Sequence, residues 1–365
     1  MTVYIVGFVL SSLFVWLSEK KKNIKLFGIF GIAILTYIAT VRGLDIGIDI
    51  KFYVLRTFQT AQIYKGDLIR YMSYNPDQVE PLYLLIEYIA ANVFKNVHFA
   101  LFAFSVITNT FVYLGIKNLR GKIDVTLGWI AYCLLFYMVT LNLMRQFIAV
   151  AVIFYLFSNE KSLNWKRAII LSLLAMGFHI SGFMGVFLYG VYRFLGARTI
   201  KRSGLRNIGV GAFMLLPFIA DIAVNILGNI GIISGKFNVY LGNEGDVALG
   251  NILFRSVGLS IFLLYMYKNR AVRTDNWTRF ILYIAVIDIL FLFNNGLFSV
   301  RIGKTFSIFE IVYFTIGLNV FKKKGGSRKL VGFAMVCLLF AYWYYQFIVL
   351  NSGLVYPYEI DPQLF

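Results

Sequence analysis

The stretch TVYIVGFVLSSLFVWLSEKKKNIK, residues 2–25, decides the fold. Residues 2–17 carry no charged side chain, and four lysines follow at positions 20, 21, 22 and 25. Hydrocarbon about 30 Å thick is crossed by a helix of about 20 apolar residues, so this run reads as a membrane span stopped by a basic cluster. No positive side chain precedes it, which is the wrong polarity for a cleaved signal peptide. The expectation is a first span with its N-terminus outside.

Apolar runs of roughly 15 to 22 residues recur along the chain, and composition agrees with their reading as spans. The 365 residues are 59% hydrophobic and 14% charged, with a mean hydropathy of +0.75. Soluble domains are about 45–50% apolar. The fold class expected is all-α: a polytopic integral membrane helical bundle, residues 1–365 as a single transmembrane domain. No internal repeat or separate soluble domain is visible.

The net charge of +18 invites a nucleic-acid reading, which its distribution opposes. Six short segments, 18–25, 117–122, 159–167, 193–206, 268–279 and 322–329, hold 24 of the 35 Lys and Arg residues. Short basic loops mark the cytoplasmic face, and a nucleic-acid partner is excluded. Pairing the spans between these loops gives about 12 crossings with both termini outside. Outer loops fall at 42–80 and 228–250, the first containing an amphipathic segment around Phe52, Leu55 and Phe58. Parity asks for one crossing in 81–116, so PLYLLIEYIAANVF is expected to be a short re-entrant helix near the outer surface. Residues 168–195 suit two shortened helices meeting at FHIS. Cys133 and Cys337 sit in apolar runs and read as buried, inert thiols.

On this topology several costly residues arrive at one membrane face. Arg42 and Asp49 stand in VRGLDIGIDIKFY (41–53), Glu80 and Pro81 begin the return from the first outer loop, Arg145 lies in LNLMRQ, His179 in FHIS and Arg301 in NNGLFSVRIGK. Ionisable groups beside spans cost several kcal/mol unless paired or solvated, and so mark function. Each also has a structural reading. Arg42 can snorkel, Asp49 can cap the helix that follows, His179 can be a packing histidine, and Asp288 and Glu310 can pair with an arginine to hold helices together. Asn142, Arg145 and Gln146 share one helical face, a fork-shaped cation flanked by amides. Gly43 and Gly47 let the chain turn. Arginines on one face suit a lipid-linked pyrophosphate, because guanidinium binds phosphate oxygens bidentately; the acids and the histidine suit proton transfer from a hydroxyl acceptor.

The motifs are also familiar in order. RGLDIGIDIKFY resembles the R-G-x-x-x-G-T-D-x-x-x-Y signature of the EpsG-like family of polysaccharide polymerases, a branch of the Wzy-type enzymes. Arg42, Gly43, Gly47, Asp49 and Tyr53 match, while Ile48 replaces the usual threonine. VEPLYLLIEYI is similar to the family's Y-E-P-x-x-x-L segment with Val79 for tyrosine. LNLMRQFIAVAV resembles its N-x-x-R-Q-x-I-A helix, FHISG its F-H-x-S turn, RIGKTFSIF its late arginine segment and VYPYEI its P-Y tail. The resemblance runs from residue 42 to 358.

It implies an integral membrane glycosyltransferase, with a GT-C-like architecture expected, that joins oligosaccharide repeat units carried on undecaprenyl pyrophosphate in capsule, exopolysaccharide or O-antigen synthesis. Its place would be the outer face of a bacterial cytoplasmic membrane. Donor and acceptor would both be lipid-linked, with membrane lipids, a chain-length regulator and a flippase as partners, and no cofactor or metal. Arg145 and Arg301 would clamp pyrophosphate and Arg42 would orient Asp49. Substrate contacts would include Arg42, Tyr53, Asn142 and Gln146. The base would be Asp49 or Glu80, with His179 as a further candidate; the residues do not choose. Rival readings are a flippase for the same lipid-linked unit, which should show repeats and a midplane site, and an outer-leaflet acyltransferase or ligase.

Overall fold

The computed structural model describes residues 1–20, 26–74, 79–196, 203–219, 222, 226, 249–293, 297–321 and 325–364. Among them there is no β-strand, and the chain is a helical membrane bundle. Six helices are long and apolar enough to cross a bilayer, and four shorter apolar helices accompany them. Most of the outer loop expected at 228–250, and residues 75–78 of the loop at 42–80, lie outside the described residues.

Two compact units are present, Met1–Phe183 with Lys324–Phe365, and Met184–Lys323. In the first, α1 (Thr2–Lys20) and α2 (Leu26–Val41) form an antiparallel pair. Two short helices follow, α3 (Leu55–Ile63) and α4 (Leu68–Ser73). Next come α5 (Pro81–Ile89), prolonged by a wide helical turn to Phe94, and α6 (Val97–Asn118). The helix α7 (Val125–Tyr132) continues through Cys133–Tyr137 into α8 (Met138–Asn142), and α9 (Met144–Ser158) and α10 (Trp165–Met176) return across the unit. At about 1.5 Å per residue, α6 is long enough to span the hydrocarbon alone. Exposed Val6, Val9, Leu13, Ile29 and Phe30 cover the outer faces of α1 and α2. A bilayer makes such a surface favourable.

Lipid gives helices little hydrophobic reason to associate, so close approach and buried hydrogen bonds do that work. A side chain at Gly28 would strike the Tyr113 hydroxyl, 2.1 Å from an ideal Cβ. The Trp129 indole N–H donates to Ser11 Oγ at 2.8 Å, and Ser11 donates to the Gly31 carbonyl at 2.6 Å. Asn109 accepts from the Tyr132 hydroxyl at 2.5 Å and donates to Thr36 at 3.2 Å, linking α2, α6 and α7.

The two ends of this unit are held by different contacts. At one end Arg120 pairs with Glu19, Lys122 with Glu160 at 2.8 Å and Arg328 with Asp124 at 3.6 Å. At the other end lie the start of α1, the close of α2, the segment 42–49, the starts of α5, α6 and α9, and the carboxyl-terminal residues. Contacts joining them include Tyr4 to the Val355 carbonyl at 2.7 Å and Gly43 N–H to the Glu359 carbonyl at 2.9 Å.

The short helix α5 begins and ends at this second end, since Leu82 N–H bonds the Gly177 carbonyl at 2.8 Å and α6 starts beside Thr40. With its extension to Phe94 it is one of the shorter apolar helices, below the length of a full span. Its buried stripe, Tyr83, Leu84, Glu87, Ala90 and Ala91, packs with Val54, Phe58 and Ala61 of the amphipathic segment. Residues 168–195 divide as expected: α10 ends at Met176, a tight turn covers Ile180–Phe183, and α11 (Met184–Gly196) begins the second unit. Cys133 is buried, whereas Cys337 is exposed on α17 (Gly325–Trp343), whose apolar outer face protein does not cover.

The second unit comprises α11, α12 (Ser203–Met214), α13 (Leu249–Lys268), α14 (Asn276–Leu290), α15 (Leu297–Ser307) and α16 (Glu310–Thr315). Its interior holds Arg255, whose Nη1 lies 2.5 Å from Asp288 Oδ1 and whose Nε lies 3.1 Å from Glu310 Oε1. The Tyr313 hydroxyl donates to the other Asp288 oxygen at 2.7 Å. Asp288 and Glu310 therefore do join helices through an arginine, and that arginine is on α13.

Candidate functional site

The segment 42–49 is shaped by Gly47. Its φ is +95°, and a Cβ there would lie 2.6 Å from the Leu141 carbonyl oxygen, so both backbone conformation and space demand glycine. The turn is fixed by Ile48 N–H donating to Asn142 Oδ1 at 2.9 Å and Gly47 N–H donating to the Leu354 carbonyl at 3.0 Å. Asn142 therefore holds the motif in shape. Asp49 follows, immediately before a wide helical turn over Ile50–Val54. Wide turns of this kind recur at functional sites. The Asp49 carboxylate makes no capping hydrogen bond, so capping does not account for it. It is half-buried, and its charge acts on both Arg42 and Arg145.

Arg42 is not poised on the surface. Its side chain is buried, at 1% exposure. Nη1 donates to the Ala39 carbonyl and Nη2 to the Leu141 carbonyl, each at 3.0 Å, with the Met144 sulfur 3.2 Å from Nη2. Snorkelling is thereby ruled out, and in this conformation the guanidinium offers no face for phosphate. It ties the close of α2 to the α8–α9 bend. The sequence places Arg42 in the motif; its side chain is held by Ala39, Leu141 and Met144 while its backbone pairs with Ile360, contacts that no local pattern announces.

Arg145 occupies the first turn of α9, where the helix dipole disfavours a cation. Glu80 offsets this: Arg145 Nη1 lies 2.7 Å from Glu80 Oε2, with side-chain exposures of 7% and 10%. The guanidinium carbon stands 4.0 Å from the centroid of the Tyr53 ring and 5.5 Å from that of Tyr83. Arg145 Nε, also buried, has no acceptor. The other Glu80 oxygen accepts Ile180 N–H at 3.0 Å, which draws the FHIS turn to the same place. His179 Nδ1 accepts Ser181 N–H at 3.2 Å and lies 2.8 Å from Ser181 Oγ. A nitrogen that accepts an N–H carries no hydrogen, so a neutral His179 bears its proton on Nε2. Gln146 is buried one position beyond Arg145.

Asp49, Tyr53, Glu80, Arg145 and the His179 turn thus meet at one end of the first unit, with Arg42, Asn142 and Gln146 behind or beside them. Arg301 lies on α15 in the second unit, half-buried, three residues before Lys304. Two residues escaped the sequence reading. Glu87 is fully buried on the α5 stripe with neither oxygen hydrogen-bonded. It lies one heptad beyond Glu80, a helical spacing that would have found it. Arg255, a lone cation six residues into an apolar run, was visible by the same cost argument that selected Arg301. Among the described residues no group of three or more His, Cys, Asp or Glu side chains is placed to hold a metal ion.

A family model described as EpsG family matches residues 3–360, nearly the whole chain. The chain belongs to the EpsG family. Membership suggests a polymerase connected with exopolysaccharide. No curated protein and no solved structure matches significantly. In this EpsG-family protein the segments R-G-x-x-x-G-x-D, E-P, N-x-x-R-Q and F-H-x-S, distant in sequence, are joined by the bonds just described: Ile48 to Asn142, Arg145 to Glu80, and Glu80 to Ile180.

Proposed function

We propose that the protein is a membrane glycosyltransferase that polymerises oligosaccharide repeat units carried on undecaprenyl pyrophosphate. The site would lie at the outer face of a bacterial cytoplasmic membrane. The observation that carries this reading is Arg145: a nearly buried guanidinium with one carboxylate partner, an aromatic bed and a spare N–H. A guanidinium presents forked donors that bind phosphate oxygens bidentately. The outer location is supported by the basic segments 18–25, 117–122 and 159–167, whose described residues lie at the opposite end of the unit.

The reaction has three needs. The acceptor hydroxyl oxygen attacks the anomeric carbon of the donor glycan, that carbon's bond to the carrier pyrophosphate breaks, and the hydroxyl proton passes to a base. The pyrophosphate departs with the bonding electrons. Arg145 would bind it and stabilise the growing negative charge. Of the two carboxylates, Glu80 has both oxygens committed, to Arg145 and to Ile180 N–H, and so positions the cation. Asp49, half-buried and close enough for its charge to act on both arginines, is assigned as the base. His179 would present Nε2–H as a donor to the departing phosphate, because its Nδ1 is already used by Ser181. Tyr53 shelves the guanidinium and Arg42 holds the motif.

Purified protein in detergent, given lipid-linked repeat units, should produce a ladder of longer glycans. Movement of the lipid only in sealed vesicles, with no ladder in detergent, would reject polymerisation and favour transport.

A further inference from the structure

Two residues outside that chemistry fasten the segment around Arg42. His98 opens α6, and Asp361 lies on the carboxyl-terminal strap, residues 351–361. Both side chains are buried, at 8% and 6% exposure, with His98 Nε2 2.9 Å from Asp361 Oδ2. His98 Nδ1 lies 2.6 Å from the Thr40 carbonyl. The strap is laid along the motif by three backbone bonds: Asp361 N–H to the Val41 carbonyl at 3.0 Å, Gly43 N–H to Glu359 at 2.9 Å and Gly47 N–H to Leu354 at 3.0 Å. Arg42 and Ile360 form an antiparallel bridge.

Counting donors fixes the proton. A carbonyl only accepts, so His98 Nδ1 carries hydrogen. Nε2 then either carries a second proton, as an imidazolium facing carboxylate, or accepts one from Asp361. Either way a single proton lies between Nε2 and Oδ2. Without it two lone pairs would oppose each other at 2.9 Å in a buried place, a costly arrangement.

We infer that His98 and Asp361 form a one-proton clasp that positions the 42–49 segment through the strap and loosens as pH rises. The link to activity rests on the glycosyltransferase reading; the clasp itself does not. The other charged groups on these elements are differently engaged. Arg42 binds carbonyls, Asp45 pairs with Lys51 at 2.8 Å, Asp49 acts on the two arginines, and Lys95 and Glu359 are exposed. The second Asp361 oxygen accepts Gln363 N–H at 2.9 Å. The clasp is closed while the proton is held, and opens as alkali removes it.

Asp361→Asn separates this from simple packing. The amide oxygen can keep Gln363 N–H while the amide N–H donates to Nε2 of a neutral imidazole, leaving no labile proton. Hydrogen exchange of peptides covering 41–48 and 354–362 would be followed in full-length protein in detergent, from about pH 6 to about pH 9. The wild-type rate, divided by that of Asp361→Asn at the same pH, should climb by up to about tenfold per pH unit over the range in which opening releases the proton. Asp361→Ala should exchange fast throughout. Glycan extension should fall over the same range in wild type and hold in Asp361→Asn. A constant wild-type to Asp361→Asn ratio, or Asp361→Asn exchanging as fast as Asp361→Ala, overturns the clasp. If Asp361→Ala does not fold, the remaining pair still decides. Loosening without loss of extension overturns the positioning role. Wild-type protein that extends nothing at any pH counts against the glycosyltransferase reading, and the exchange ratio still judges the clasp.

Discussion

Replacing Arg145 tests whether its charge serves stability or chemistry, because its partner in the fold is Glu80 and its proposed partner in the reaction is pyrophosphate. Arg145→Met leaves the Glu80 carboxylate, 10% exposed, without its cation. Removing one member of a buried pair costs about 3–5 kcal/mol. Combining it with Glu80→Gln removes the orphaned charge, while the amide oxygen still accepts Ile180 N–H, so most of that loss should return. Arg145→Lys keeps the charge and satisfies Glu80, but gives up the fork. A charge-assisted hydrogen bond to phosphate is worth about 1.5–3 kcal/mol, and stacking on Tyr53 about 0.5–1 kcal/mol. The sum, about 2–4 kcal/mol, corresponds to a roughly 30- to 1000-fold slower transfer. Thermal unfolding in detergent and glycan ladders from lipid-linked units would be measured side by side. The expected pattern is a stable, slow Arg145→Lys, an unstable and inactive Arg145→Met, and a double variant that is stable yet inactive. A double variant that regains both stability and ladder formation would refute the role given to Arg145, and so would wild-type extension by Arg145→Lys.

Asp49→Asn keeps the size of the side chain and an oxygen acceptor but removes its basicity, so the protein should still fold while extension drops at least about 100-fold; a destabilised but active variant would show the side chain to be structural. His179→Asn retains an acceptor near the Nδ1 position and the turn with it, but loses the Nε2 donor, so extension should fall, whereas unaltered extension would exclude His179 from the reaction. Gly47→Ala meets both a positive φ and the Leu141 carbonyl and should lower the yield of folded protein sharply, while Gly43→Ala, whose nearest contact would be 3.6 Å, should be tolerated; size-exclusion profiles compare them. Arg255→Leu should destabilise by about 3–5 kcal/mol by stranding Asp288 and Glu310, and adding Asp288→Asn and Glu310→Gln should recover much of it, read by thermal unfolding.

Much of the architecture is written locally. Apolar runs fix where helices lie, and the short reach of PLYLLIEYIAANVF and the interruption at FHIS follow from span length and charge parity. The grouping of Asp49, Glu80, Arg145 and the His179 turn is equally legible, since residues at one end of successive antiparallel helices have few other places to go. What local pattern cannot supply is which partner each charge finds. Arg42 and Arg145 look alike in sequence, each beside a helix end, yet one is locked onto backbone carbonyls and the other onto a carboxylate. The difference arises from Met144, Leu141 and the strap, about 100 and 300 residues away. The pairing of His98 with Asp361 spans 263 positions, and Glu87 hides because a single acid in an amphipathic stripe barely alters its periodicity.

The strap also sets an order of assembly. The 42–49 segment leaves the ribosome more than 300 residues before Leu354 and Glu359, whose carbonyls complete its hydrogen bonding. A nascent chain can insert every preceding helix and still carry an unfinished turn at Arg42. Intermediates in which residues 351–361 are not yet in place should therefore be inert, and competence should arrive in one step, when that stretch settles against the 42–49 segment.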